Sequence, residues 1–300
     1  MLALYWLLPQ ALGGKTPPPL WRFLTFTQNI ELQPGTAFSH AWSLCIEEQF
    51  YLVLPAALML IAALRQHRRV LAWALILVLT VAAISWRDHL WTLYGTEASG
   101  ALAKYYPNVY YGSLCRLDEF LPGVAVALLR NGHPAAWAAL MAQPRRLLAV
   151  GVVACSVMFW MLLDRYYIDG YGYGRAMSTF GYSAMAWAFG LMVMASLAPR
   201  GKLSTWRVPG AEPLARWSYA IYLTHKPIAF VLVKPLAAVG IAAKSGGAVP
   251  VIALACLAGG WLLYRLVELP FLRLRDRWLP SHFRTREVGV LSGAFHAPQG

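Results

Sequence analysis

The residues of this chain with the most chemical potential stand where a membrane would put hydrocarbon. Glu47 and Glu48, Arg116 with Asp118 and Glu119, His225 with Lys226, and Arg265 with Glu268 all fall within or at the ends of long apolar stretches. A charge at the centre of a membrane helix costs roughly 2.5–3.5 kcal/mol on insertion scales, so such groups mark function unless packing explains them. A histidine, two carboxylates and an arginine are the parts from which proton transfer at a hydroxyl can be assembled. The same parts could form a buried ion pair, such as Arg116 with Glu47 or Glu48, that only holds helices together. They could also line a path for an ion or solute. Consecutive helical residues point about 100° apart, so at most one of Glu47 and Glu48 reaches a given centre. Arg265 and Glu268, spaced i, i+3, read as a local pair at the end of the last helix, with Pro270 breaking that helix.

The elements that must position these groups are membrane helices. Of 300 residues, 59% are apolar and 13% charged, with a mean hydropathy of +0.50, whereas soluble domains run at about 45–50% apolar and 25% charged. Apolar runs long enough to cross a bilayer recur along the chain. They predict complete spans over 42–64, 70–86, 113–130, 147–163, 179–198, 214–239 and 249–269. The expected fold class is all-α, a polytopic transmembrane helical bundle of about seven complete spans plus a partial one at the N-terminus. The membrane domain is placed at 1–279 and a short, polar, disordered cytoplasmic tail at 280–300. The opening MLALYWLLPQALGG has no basic start and is interrupted by Pro9, so it reads as a helix rather than a signal peptide.

The net charge of +13 does not point to nucleic acid, because the Lys and Arg residues lie between spans rather than on one domain. Alternate gaps are unequal instead. Those at 65–69, 130–146, 200–216 and 273–286 hold about twice as many Lys and Arg residues as the others, where Arg87, Lys104 and Arg175 lie. Short cytoplasmic loops collect basic residues, which predicts a cytoplasmic C-terminus and places Lys104 and Arg175 outside. Nine tyrosines, from Tyr94 to Tyr173, crowd into the two longer outer segments. They read either as an interfacial belt or as a stacking surface for a sugar ring. Cys45, Cys115, Cys155 and Cys256 show no metal spacing and are expected inside helices as core residues, with no structural disulfide and no metal.

The segment His40-Ala41-Trp42-Ser43-Leu44-Cys45-Ile46-Glu47-Glu48-Gln49-Phe50-Tyr51, with Pro55 after it, closely resembles the signature of the membrane acyltransferase 3 family. Arg116-Leu117-Asp118-Glu119-Phe120-Leu121-Pro122-Gly123 is similar to a second family segment, and Ser218-Tyr219-Ala220-Ile221-Tyr222-Leu223-Thr224-His225-Lys226-Pro227 to a third. Glu268-Leu269-Pro270-Phe271 resembles the final one, and the likeness runs from about Leu4 to Arg275. Family members carry two further helices at the start, the first bearing a histidine taken as central to catalysis. Nothing here matches them, so the chain is expected to be N-terminally incomplete and inactive alone.

The resemblance implies an integral O-acyltransferase of the cell membrane. It would move an acyl group from a cytoplasmic donor, acyl-CoA, to a hydroxyl of a surface glycan or lipid-linked sugar, with no bound cofactor. Glu47 or Glu48 would orient an imidazole, and His40 and His225 are candidates for orienting groups or a secondary base. Arg116, with Trp42, Ser43 and Tyr51 of the signature, would serve substrate binding. Two alternatives are a transporter or channel, distinguished by solute flux surviving the loss of acyl incorporation, and a non-catalytic membrane partner.

Overall fold

The architecture follows from where apolar helices find partners, as seen in a computed structural model describing residue 7 and residues 18–35, 38–64, 67–99, 101–242 and 245–279. The expected partial N-terminal span and the tail 280–300 lie outside the described residues, as do the loop residues Arg65 and Lys244. Two compact units divide the chain, one before Pro209 and one from Pro209 onward.

In the first unit, a short helix α1 (Leu20–Leu24) precedes a loop and a 3-10 turn at Ser39–Ala41. Phe38 sits just before that turn in the left-handed region, at φ +60°, a conformation a bulky residue adopts only when its surroundings hold it there. The signature then forms α2 (Trp42–Ala63), in which Cys45, Ile46 and Phe50 are buried and most later residues exposed. Pro55 lies inside this helix, a placement membrane helices tolerate. In α3 (Arg68–Tyr94) the buried residues Ile76, Ala83, Arg87, Leu90 and Trp91 fall near i, i+7, i+11 and i+14, one face of a helix.

The segment that follows holds α4 (Ala101–Tyr105), continued by a π turn at Tyr106–Tyr110. Next come 3-10 turns at Ser113–Cys115 and Leu117–Phe120, α5 (Leu121–Gly132) and α6 (Pro134–Met141). A long helix α7 (Pro144–Arg165) leads to a two-stranded hairpin, β1 (Tyr167–Ile168) against β2 (Gly172–Tyr173), with Gly170 in the turn and Gly172 at the start of β2 both at positive φ. A π turn at Met177–Gly181 opens into α8 (Tyr182–Leu197), which packs along α7, and a short α9 (Lys202–Thr205) ends the unit.

The second unit is a helical pair, α10 (Ala211–Ala238) against α11 (Ala248–Leu263), followed by a π turn at Tyr264–Glu268 and α12 (Leu269–Trp278). Gly260 lets the pair approach closely: a Cβ there would stand 2.8 Å from the Cα of Ile221, the role small residues play between membrane helices.

The chain is therefore an all-α, polytopic membrane protein. Five helices among the described residues are long and apolar enough to cross a bilayer: Ser39–Ala63, Arg68–Tyr94, Pro144–Arg165, Met177–Leu197 and Ala248–Trp278. The expected span at 214–239 is present as α10, with Glu212, Arg216, Lys226 and Lys234 along it.

Three expectations are corrected. The stretch 113–130 is not one helix, and α5 alone, with 12 residues, would reach only about 18 Å of the roughly 30 Å core. The carbonyl of Cys115 is taken by the Arg87 side chain, so it does not enter a regular helical ladder. The span predicted at 70–86 runs on to Tyr94, which moves Arg87 from a loop into a helix with its side chain fully buried. Pro270 does not end the last helix, because it falls in the first turn of α12, directly after the π turn, where a missing N–H costs little.

Candidate functional site

Arg87 is the most enclosed charge in the first unit, and every donor of its guanidinium is used. Its Nε donates to the carbonyl of Thr179 at 2.9 Å. One terminal nitrogen donates to the carbonyl of Cys115 at 2.6 Å and to Asp118 Oδ1 at 2.8 Å, the other to Asp118 Oδ2 at 3.1 Å and to Ser183 Oγ at 2.5 Å. Ser183 in turn donates to Asp118 at 2.5 Å. A guanidinium has five N–H donors, so this buried pair meets the condition under which two charges are tolerated away from water.

One turn away, Arg116 is held differently. Its guanidinium lies 3.9 Å from the ring centre of Tyr182, 4.8 Å from Tyr110 and 4.9 Å from Trp42. Trp42 itself packs against Tyr110 and Tyr111 at 5.1 and 5.6 Å. Such a cage stabilises a cation by roughly 2 kcal/mol or more per face when water is excluded. The ion-pair partner is Glu119, at 2.6 Å, rather than Glu47 or Glu48. The Nε of Arg116 is buried with no hydrogen-bond partner among the described residues. A buried donor of that kind is uncommon and calls for an explanation.

The tyrosines of the two segments that follow α3 and α7 close around this centre. Tyr105 stacks on Tyr173 at 3.6 Å and donates to Ser178 at 2.7 Å. The hydroxyl of Tyr182 lies 3.1 Å from that of Tyr105 and 3.0 Å from that of Tyr166. Only Tyr167 and Tyr171, of the nine, are exposed enough to resemble a belt or a stacking surface. The remainder form a packed cluster. Burial raises the phenols of Tyr105 and Tyr166, and pushes that of Tyr111 up to about 12. The cluster is thus neutral at physiological pH and acts through hydroxyl hydrogen bonds and ring faces.

The signature contributes unevenly. Trp42 enters the cage, with Ser43 half-buried beside it. Glu47 is half-buried and accepts from the Tyr51 hydroxyl at 3.0 Å, whereas Glu48 is exposed, as their helical phase requires. Tyr51 is likewise exposed and lies outside the cage. His40 packs edge-on against Phe38 at 4.9 Å. Gln49 donates to the Phe26 carbonyl at 2.7 Å and to Asn29 Oδ1 at 3.1 Å. Asn29 then donates to the Tyr111 carbonyl and to Ser113 Oγ, which ties the 26–29 loop to the back of the cage.

Beside that loop opens a cleft of about 490 Å³ with mixed walls, in which Asn29, Glu31, Gln33, Lys104, Asn108 and Ser113 stand among Trp86, Leu90 and other apolar residues. A second, apolar groove of about 360 Å³ runs between α2 and α3, with Asp118 as its one charged wall residue. Amides, a lysine and an indole face in the first suit a polar, hydroxyl-bearing ligand, and the second suits hydrocarbon.

His225 belongs to the second unit. Its Nδ1 lies 2.7 Å from the Tyr222 carbonyl, an oxygen that only accepts, so Nδ1 is the donor of that contact. Glu268 and Arg265 are not joined: Arg265 lies over the Trp261 ring, and Glu268 Oε2 is buried with no hydrogen-bond partner among the described residues. The widened π turn that carries both does not keep the side-chain spacing of an α-helix. All four cysteines are free, Cys115 in a 3-10 turn rather than an α-helix.

Sequence reasoning singled out Trp42, Arg116, Asp118 and Glu119, and the structure brings these motifs together. It missed Arg87, Tyr182 and Ser183. The signal for Arg87 was present, because its position continues the buried face of α3.

A family model described as an acyltransferase domain, that of the acyltransferase 3 family, matches residues 1–265. No curated protein and no solved structure matches the chain.

Proposed function

The chain belongs to the membrane acyltransferase 3 family, and on that premise we propose that it transfers an acyl group from a cytoplasmic acyl-CoA to a hydroxyl of a surface glycan or lipid-linked sugar at the cell membrane. The observation that carries this reading is the meeting of two motifs remote in sequence. Trp42 of the signature and Arg116 of the second motif share one cage, with a buried donor left open on the arginine.

In the reaction, the acceptor hydroxyl loses its proton to a base as its oxygen attacks the thioester carbonyl. The C–S bond then breaks, and the coenzyme leaves as the thiol after taking up a proton. A positioned base and a donor facing the developing oxyanion are what such a transfer needs. Arg116 supplies a fixed positive charge for substrate. Of the two signature carboxylates, Glu47 is the one turned into the protein and the better placed to orient an imidazole. His225 and His40 are the candidate bases or orienting groups. The mixed cleft at Trp86 and Asn108 adjoins the back of the cage through Asn29 and is the seat proposed for the acceptor.

Membranes containing the protein joined to the family's two leading helices, given labelled acyl-CoA and a hydroxyl-bearing glycan, are expected to release free coenzyme and acylated glycan in equal amounts. Solute flux without acyl incorporation would instead favour a transporter. For the acceptor seat, Asn108→Ala and Trp86→Ala are each expected to raise the KM for the glycan about tenfold while leaving that for acyl-CoA within twofold, since each removes about 1–1.5 kcal/mol of contact. An equal rise for both substrates would place the acceptor elsewhere.

The direction of transfer rests on orientation. With the native cysteines replaced, Asn108→Cys and Gln143→Cys are expected to react with an impermeant thiol reagent from opposite faces of sealed vesicles, Asn108 from outside. Reaction of both from one face would overturn the topology and the donor geometry built on it.

A further inference from the structure

We infer that Arg87 is a positioning residue for Arg116, an inference that rests on the acyltransferase reading of the cage. Its five hydrogen bonds do not all serve its own ion pair. One goes to the carbonyl of Cys115, the residue just before Arg116. Two go to Thr179 and Ser183, on either side of Tyr182 in the chain. The closest contact in the cage, Arg116 to the Tyr182 ring at 3.9 Å, therefore joins two backbone segments that one buried side chain grips at once.

The remaining bonds lock that grip. Asp118 takes both ends of the guanidinium fork, and Ser183 donates to the same carboxylate, so the plane of the Arg87 fork is fixed at both ends. A planar fork delivers this geometry, and a lysine ammonium, with three donors on a flexible stem, cannot reach all four acceptor residues. Neighbours also resist relaxation, since Arg87 and Asp118 are both fully buried. Displacement of a binding group by even 1 Å is enough to cost about a hundredfold in rate, and Arg87 sets the position of Arg116 without touching substrate itself.

The test compares Arg87→Lys with the pair Arg87→Met plus Asp118→Leu, which removes both charges together and keeps apolar packing. Acyl transfer is measured per folded protein, with kcat and KM separated, and each variant is combined with Tyr182→Leu. Both are expected to lower kcat at least tenfold with the KM for the glycan within twofold. Adding Tyr182→Leu is expected to cost less than threefold more, because the stack is already lost. A merely structural Arg87 would lower the melting temperature yet leave kcat per folded protein within twofold, and that result overturns the inference, as does a full, additive loss on adding Tyr182→Leu. If the wild-type protein joined to the family's two leading helices transfers no acyl group, the proposed function fails. The melting temperatures of the same cycle then still decide the positional claim, which predicts non-additive effects of Arg87→Lys and Tyr182→Leu and is overturned by additive ones.

Discussion

Asp118→Leu is expected to destabilise the protein by about 3–5 kcal/mol, the usual cost of leaving one charge of a buried pair without its partner. Arg87 would keep its bonds to the carbonyls of Cys115 and Thr179 and to Ser183, but its positive charge would face no carboxylate in a site sealed from solvent. The helices it joins would also lose their common anchor, since Asp118 precedes α5, Arg87 lies on α3 and Ser183 on α8. Adding Arg87→Met to Asp118→Leu should recover most of the loss, because a buried pair replaced by apolar groups of similar volume is often neutral. The measurement is reversible unfolding of the purified protein in detergent for the two single variants and the double. A double variant that loses the sum of the two single losses would show that the ion pair is not where the stability resides.

The fold was largely written in hydropathy, which found α2, α7, α8, α10 and α11 to within a few residues. It failed where charge enters a helix. An apolar window ends at Trp86 because Arg87 and Asp88 follow, yet α3 continues for two more turns. Both charges are satisfied by distant partners, Arg87 by Asp118 and Asp88 by Arg175 at 2.8 Å. Hydropathy prices each residue as though alone, whereas pairing changes what burial costs. The spacing of Ile76, Ala83 and Leu90 would have shown that position 87 lies on the same buried face.

The opposite error was made at 113–130, where an apolar run was read as a helix. In the tight turns there the carbonyl of Cys115 goes to the Arg87 side chain of α3 rather than to a helical ladder, a pairing no local pattern reveals. The site was legible in its motifs and illegible in its pairings. Arg116 was marked by its place in an apolar stretch, but its partner is Glu119, on the same turn, rather than a signature glutamate. Tyr182 carried no mark at all, being one aromatic residue in an apolar helix.

Arg116→Gln is expected to lower kcat/KM for acyl transfer by about a hundredfold, in line with losses seen when one preorganised donor is removed from a reacting centre. Glutamine keeps much of the length and two N–H donors, but it brings no charge to the rings of Tyr182, Tyr110 and Trp42. The loss should therefore exceed that from Glu119→Gln, which leaves the cation and its cage in place and removes only the ion-pair partner. Arg116→Lys separates charge from shape. Lysine restores a cation to the cage but has no group in the position of Nε, the donor that stands unpaired among the described residues. If that donor meets substrate, Lys should recover folding and little activity, because the planar, multidentate contact is what was lost. Activity is read per folded protein, since breaking the pair with Glu119 also removes stability. Arg116→Lys at near wild-type kcat/KM would reduce the role of Arg116 to charge alone, and Arg116→Gln at wild-type kcat/KM would remove the cage from the mechanism.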